Sequence, residues 1–303
     1  MSLNLESISV KMTDELDLAV AQKPVTGFMV DNNLRGKFVG TKTVMIPAMN
    51  ISGLGDYDRD TGFVNGSISV SAKPFTLTMD RGRSFQLDRE DYDESGVADL
   101  AGQIMGEFVR TKVVPEVDAY VLSKLASFAH GNGQIVQGNP AADAYKMLTT
   151  AISHARRAIG YDEELVAFVD STMLTALQKS EEIAHHLVVN DFKKGEVYTQ
   201  VTSLNGVAIL PVPDGRMKTA YNFFDGSTSG QEAGGFTPAS DAKNIGLLLV
   251  PRRAASLIKK TEQVRCFDPA HNLKADAWKL DYRLYYDVVL KDSLKGGICT
   301  YVY

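Results

Sequence analysis

Between Asp93 and His130 the apolar residues Val97, Leu100, Ile104, Phe108, Val117, Tyr120, Val121, Leu125 and Phe128 recur at three- and four-residue steps. Asp93, Glu94 and Ser95 supply start signals and Gly131-Asn-Gly133 a stop, which predicts a single helix of roughly 36 residues. At 1.5 Å per residue it runs about 54 Å, whereas a compact globule of this chain's 303 residues is only about 50 Å across. A chain with such a helix is expected to be elongated. Pro115 falls inside the pattern, lacks a backbone donor and crowds the preceding turn, so a kink or interruption is expected there.

A second long element matches the first. Trp278, Leu280, Tyr282, Leu284, Tyr286, Val288 and Leu290 alternate with Lys279, Asp281, Arg283, Tyr285, Asp287, Val289 and Lys291. At about 3.4 Å per residue this strand approaches 48 Å, and helix and strand are expected to lie side by side.

From Gly40 the chain also reads as β. Thr43-Val-Met-Ile46 is expected to end at Pro47, and a loop from about Asn50 to Gly66 holds Gly53, Gly55, Gly62 and Gly66. Beyond it Ile68, Val70 and Ala72 alternate with serines, and after Lys73-Pro74 the apolar phase passes to Phe75, Leu77 and Met79. A bulge or bend at Pro74 is the expected cause, since one inserted residue exchanges the two faces. The two arms form a long ribbon, and isolated ribbons are marginal in water, so this one must lie on another surface.

The rest of the chain has conventional signals. Residues 1 to about 35 read as an extended arm. Asn139-Pro140 opens a helix with the stripe Tyr145, Leu148, Ile152, Ala155 and Ile159, ending at Gly160. Leu165-Val-Ala-Phe-Val169 reads as a buried strand, Asp170-Ser171-Thr172 as the cap of a short helix, and Asn205-Gly206 as a two-residue hairpin. Gly226 to Gly235 is the one stretch expected to be a flexible surface loop.

Composition narrows the function. The 37 acidic and 32 basic residues leave a net charge of −5, the wrong sign for a protein that grips phosphate backbones. Cys266 and Cys299 are far apart in no ligand-like spacing, which suits a reducing cytoplasm. Neither a signal peptide nor a membrane span is expected.

Candidate chemistry is weak. Asp56, Asp58 and Asp60 alternate as in a calcium loop, but Thr61 and Ser67 stand where that loop needs glycine and glutamate, which favours a polar loop tip. Glu182 and His185 have the spacing of a di-iron pair with no second pair to complete it, so His185 and His186 read as ordinary surface or helix-end residues. His130, His154 and His271 could serve a nucleophile, yet no serine elbow or cysteine signature accompanies them. Gly131 to Gly138 falls short of the dinucleotide fingerprint and reads as a helix cap and loop. No catalytic residue, metal ligand or cofactor is therefore assigned. The mixed charges Asp80-Arg81-Gly82-Arg83, Asp88-Arg89-Glu90-Asp91 and Asp93-Glu94 read either as a solvated surface or as a contact with another subunit.

Taken together, Thr43-Val-Met-Ile-Pro47, Gly53-Leu-Gly-Asp-Tyr-Asp-Arg59, Thr61-Gly-Phe63, Asp80-Arg-Gly-Arg83, Phe85, Leu87-Asp88, Met105-Gly-Glu-Phe108, Arg110-Thr-Lys-Val-Val-Pro-Glu116 and Asp118-Ala-Tyr120 resemble tailed-bacteriophage major capsid proteins of the Hong Kong 97-like fold. The match is dense from about residue 40 to 125 and extends beyond that in element order only. The resemblance implies an α+β chain with an N-terminal arm (1–39), an extended β loop (40–82), a peripheral domain with the spine helix and a long β-sheet (83–134 and 246–303) and an axial domain (135–245). It implies contacts between subunits at Gly53, Gly55, Asp56, Tyr57, Arg59, Phe63, Arg81, Arg83 and Asp88, with Pro115 as the spine kink. Function would be geometric: hexamers and pentamers of the chain close an icosahedral shell around double-stranded DNA, without sequence-specific binding. The expected location is the virion, and the host cytoplasm during assembly. Expected partners are a separate scaffolding protein, a portal protein and a decoration protein. Nothing marks an isopeptide-forming lysine. The alternatives are a bacterial nanocompartment shell around a cargo enzyme and, outside the fold, a metal-dependent hydrolase.

Overall fold

Among the described residues the spine comprises α1 (Leu100–Phe108), a π-helical turn (Val109–Val113) and α2 (Val114–Gly131). This computed structural model describes residues 24–30, 38–39, 42–90, 100–180, 188–192, 199–272 and 274–303. Most of the arm, the start signals at Asp93 to Ser95, and Glu182, His185 and His186 lie outside the described residues. Phe108, Val113 and Val114 all keep right-handed helical dihedrals, so the spine is continuous over a rise of about 48 Å. The disturbance expected at Pro115 takes the form of a widened turn just before it, in which the Val114 N–H donates to the Val109 carbonyl. The Thr111 hydroxyl donates to the Glu107 carbonyl at 2.7 Å. The wide turn resets the register, so Pro115 falls in the first turn of α2, where no intrahelical donor is required of it.

Two sheets flank this spine. The first has the order β12–β13–β4, where β4 is Met79–Asp88, β12 is Ala255–Phe267 and β13 is Ala277–Leu290. β13 pairs antiparallel with β4 from Ala277↔Asp88 to Tyr286↔Met79, and with β12 across a bulge between Lys259 and Thr261. Its apolar phase, Leu280, Tyr282, Leu284, Tyr286 and Val288, packs in one core with Met105, Val109, Val117 and Val121 of the spine. Helix and strand thus lie side by side, with Phe108 edge-on to Tyr282 and Tyr120 edge-on to Tyr286.

The second sheet has the order β14–β11–β5–β8–β7–β6, with β5 Leu165–Val169, β6 Val188–Phe192, β7 Thr199–Leu204, β8 Val207–Pro211, β11 Ile245–Pro251 and β14 Cys299–Val302. Strand alternation divides its side chains. Val166, Phe168, Leu248 and Val250 join the spine core, while Leu165, Ala167, Val169, Leu247 and Leu249 face α3 (Pro140–Ile159) and α4 (Ser171–Lys179). With both faces covered, β11 is apolar at every position but Gly246. β11 and β14, grouped by sequence with the peripheral segment, hydrogen-bond into this second sheet, so a boundary at 245/246 cuts across its strands.

Local signals act as expected. The Asn139 side chain accepts from the Ala141 N–H and the Asp170 side chain from the Met173 N–H, capping α3 and α4. Asn205 (φ 51°) and Gly206 (φ 74°) occupy the left-handed region that the β7–β8 hairpin demands.

Candidate interaction surface

The extended ribbon consists of β2 (Thr43–Ile51) and β3 (Ile68–Thr76), with β1 (Phe38–Val39) paired at its base. β2 continues through Pro47, and its register with β3 is unbroken from Thr43↔Thr76 to Ile51↔Ile68. There is no bulge at Pro74. The ladder shows how both prolines are tolerated. The Leu77 N–H donates to the Lys42 carbonyl and the Ser52 N–H to the Ser67 carbonyl, so even-numbered β2 residues occupy the hydrogen-bonded pairs. Pro47 (opposite Ala72) and Pro74 (opposite Met45) fall in the other class, where each missing donor would face away from the partner strand.

The change of apolar phase is a change of face along a regular ribbon. At the base Val44, Phe75 and Leu77 pack on Ile258, Tyr285 and Val289 of the first sheet. Farther out, the pairs Met45/Pro74, Pro47/Ala72, Met49/Val70 and Ile51/Ile68 place their side chains on the opposite face. Met49 is 66% exposed, Ile51 60%, Ile68 71% and Val70 70%. Of the eleven large hydrophobic residues left exposed among the described residues, eight lie between Met49 and Val70, which locates the apolar surface on this one element. Sequence reading missed the β2 half of this face by ending the strand at Pro47. The alternation Met45, Pro47, Met49, Ile51 was the available signal.

The tip places Gly53, Gly55, Asp56, Tyr57, Arg59 and Phe63 in solvent or close to it. Tyr57 and Phe63 pack against each other with centroids 4.9 Å apart and rings tilted by 58°. Asp58 and Gly62 exchange backbone hydrogen bonds, Gly62 with φ 81°. The Asp58 carboxylate accepts from the Asp60 and Thr61 N–H groups, and these bonds hold it below the usual carboxylate range. The alternating acids thus fold a turn.

Parts of the charged segment are engaged within their own chain. Arg81 is turned into its own chain: it pairs with Glu116 of the spine at 2.7 Å and donates to the carbonyls of Phe224 and Gly235. Arg83 donates to the Glu232 carbonyl, and Asp88 accepts from the Glu90 N–H. The glycine-rich stretch expected to be a free loop is therefore held by two arginines of β4. It extends the hairpin of β9 (Tyr221–Phe223) and β10 (Phe236–Pro238).

One cysteine–histidine pair stands out among the described residues. Cys299 lies 3.1 Å from His154, and burial pushes its thiol up to about 12, which favours the protonated form. Among the described residues no group of three His, Cys, Asp or Glu side chains could hold a metal, and no helix is long and apolar enough to cross a membrane.

No family model and no curated protein matches the sequence. Solved structures do match the fold. A chain from Mycobacterium phage Che8 aligns with a TM-score of 0.58 at 14% identity, covering 92% of this chain and 91% of that one. The capsid of Helicobacter pylori bacteriophage KHP30 gives 0.58 at 13%, covering 93% and 90%. A virus-like particle from Pyrococcus furiosus gives 0.54 at 8%, covering 98% of each chain. The chain has the mixed helix-and-sheet fold of phage capsid subunits, the Hong Kong 97-like fold that its sequence resembles.

Proposed function

We propose that this chain is a structural major capsid protein that assembles with copies of itself, through hexamers and pentamers, into an icosahedral shell enclosing phage DNA. One observation carries the reading: the ribbon bears an apolar face that the described residues of its own chain leave uncovered. A monomer gains nothing from that face, whereas a second subunit that covers it gains about 25 cal/mol per Å² of apolar surface removed from water. Passing the contact from subunit to subunit around a ring is the heterologous arrangement that closes. The tip residues and Arg83 and Asp88 would meet neighbours, and Arg81 would support them from within. In this reading residues 1–39 are the arm, 40–82 the extended loop, 83–134 with 246–303 the peripheral region and 135–245 the axial region, except that β11 and β14 go with the axial sheet into which they hydrogen-bond. Net charge fits a DNA container, since −5 per chain leaves packaged DNA weakly repelled and free to move. A separate scaffolding protein would set the curvature, a portal would occupy one vertex, and assembly would take place in the host cytoplasm.

Electron microscopy of the purified chain, with and without a co-expressed scaffold, tests this. Shells that form only with scaffold support the proposal. Shells that form without one and retain a host enzyme would favour a nanocompartment, and particles absent under both conditions would overturn the shell reading.

A further inference from the structure

The ribbon leaves the body at a joint of two residues, Leu77 and Thr78, between β3 and β4. Leu77 is buried, and its carbonyl accepts from the Tyr285 hydroxyl at 3.1 Å. Thr78 is tied to Asp287 twice: its N–H donates to Oδ2 at 3.1 Å and its hydroxyl at 2.9 Å. The other oxygen, Oδ1, accepts from the Tyr120 hydroxyl at 2.8 Å, from Lys124 Nζ and from the Val288 N–H at 2.7 Å. Asp287 itself has no exposed surface.

We propose that Asp287 is the lock that sets the pitch of the ribbon, joining its root to the spine helix through one buried carboxylate, and that opening this lock lets the ribbon swing about Leu77–Thr78. The chemistry requires a carboxylate. Every group around it is a donor: the Thr78 amide and hydroxyl, the Tyr120 phenol, the Lys124 ammonium and the Val288 amide. Only an ionised carboxylate, with two acceptor oxygens and no proton of its own, can accept from all five. The charged and titratable groups facing it, Lys124 and Tyr120, both belong to α2, and the Lys124 ammonium also lies 5.3 Å from the Phe75 ring at the ribbon base. Spine, sheet and ribbon root therefore share one contact point.

Leverage makes this point matter. The arm from Thr76 to Ile68 extends about 30 Å at 3.4 Å per residue, so a rotation of about 10° at the joint moves its far end about 5 Å, one inter-strand spacing. Besides the lock, the contacts that oppose that rotation are few and lie at the root: the base packing, the Tyr285–Leu77 hydrogen bond, the Lys124–Phe75 contact and an exposed Lys73–Asp292 ion pair.

The experiment uses the unassembled full chain, so its outcome is separate from whether shells form. Spin labels on bio-orthogonal residues at positions 53 and 157 report the distance from tip to α3, and hydrogen exchange reports the joint. Asp287→Asn is expected to broaden the distance distribution and to speed exchange of the Thr78 amide ten- to a hundredfold, the loss of a charge-assisted hydrogen bond, with α3 unchanged. If D287N does not fold, the double variant Y120F/K124M, which removes only the helix side of the lock, tests the hinge by the same readouts. An unchanged distance distribution in the folded variant overturns the proposal. So does exchange that rises equally in every strand, because Asp287 would then be a general stabiliser.

Discussion

Replacing Met49 and Val70 with threonine separates a face built for a neighbour from one that is merely exposed. The pair sits directly opposite on β2 and β3, 66% and 70% exposed, and threonine keeps strand propensity. Full burial of such a side chain contributes about 1.5–3 kcal/mol, so covering the exposed two-thirds of each contributes about 1–2 kcal/mol. Losing both weakens each ribbon contact by about 2–4 kcal/mol, a factor of roughly 30 to 1,000 in its equilibrium constant. In the isolated chain the same change should stay within about 0.5 kcal/mol, because among the described residues these two side chains stay largely exposed. Light scattering against protein concentration reads the assembly threshold, and circular dichroism reads the melting temperature. The expected result is a threshold raised by an order of magnitude or more at an unchanged melting temperature. An unchanged threshold would refute the claim that this face is covered by a neighbour. A melting temperature several degrees lower would refute the claim that it is free in the monomer.

Three further outcomes follow from named contacts. Arg81→Met should cost about 1–3 kcal/mol of stability, because it strands Glu116 and two carbonyls, and hydrogen exchange should rise first in residues 225–235. Lys295 and then Lys73 hold the Asp292 carboxyl at about 2, so its contribution is fully present above its ordinary value near 4 and is lost as pH falls towards 2. A carboxyl carbon titration by NMR should show this, with Lys73→Ala moving the midpoint up towards the ordinary value. Assembled particles boiled in denaturing detergent without reductant should run as one band at the 33.1 kDa chain mass. A ladder that reductant abolishes would implicate Cys266 or Cys299, and one that survives reductant would reveal an isopeptide bond.

Elements with a sustained period were legible. The spine pattern persists over ten turns and the β13 alternation over fourteen residues, so local disturbances such as Pro115 could not hide them. Contacts made with backbone were not legible. Arg81 finds the Phe224 and Gly235 carbonyls more than a hundred residues away, and a carbonyl carries no residue signature, so the arginine looked free for a neighbour.

Asp287 shows how a periodic reading goes wrong and what would have corrected it. An alternating strand is normally read as one buried face and one wet face, which assigns Lys279, Asp281, Arg283, Tyr285, Asp287 and Val289 to solvent. Along that phase, however, the residues change from charged to apolar: Lys279, Asp281 and Arg283 retain solvent contact, while Tyr285 and Val289 are buried under Val44, Phe75 and Leu77. The switch marks where a second layer lands on the sheet, and the carboxylate between the two apolar residues is buried with them. A buried carboxylate there is costly unless donors converge on it. Its persistence between Tyr285 and Val289 therefore points to a cluster of donors, and the ribbon root and spine helix supply them.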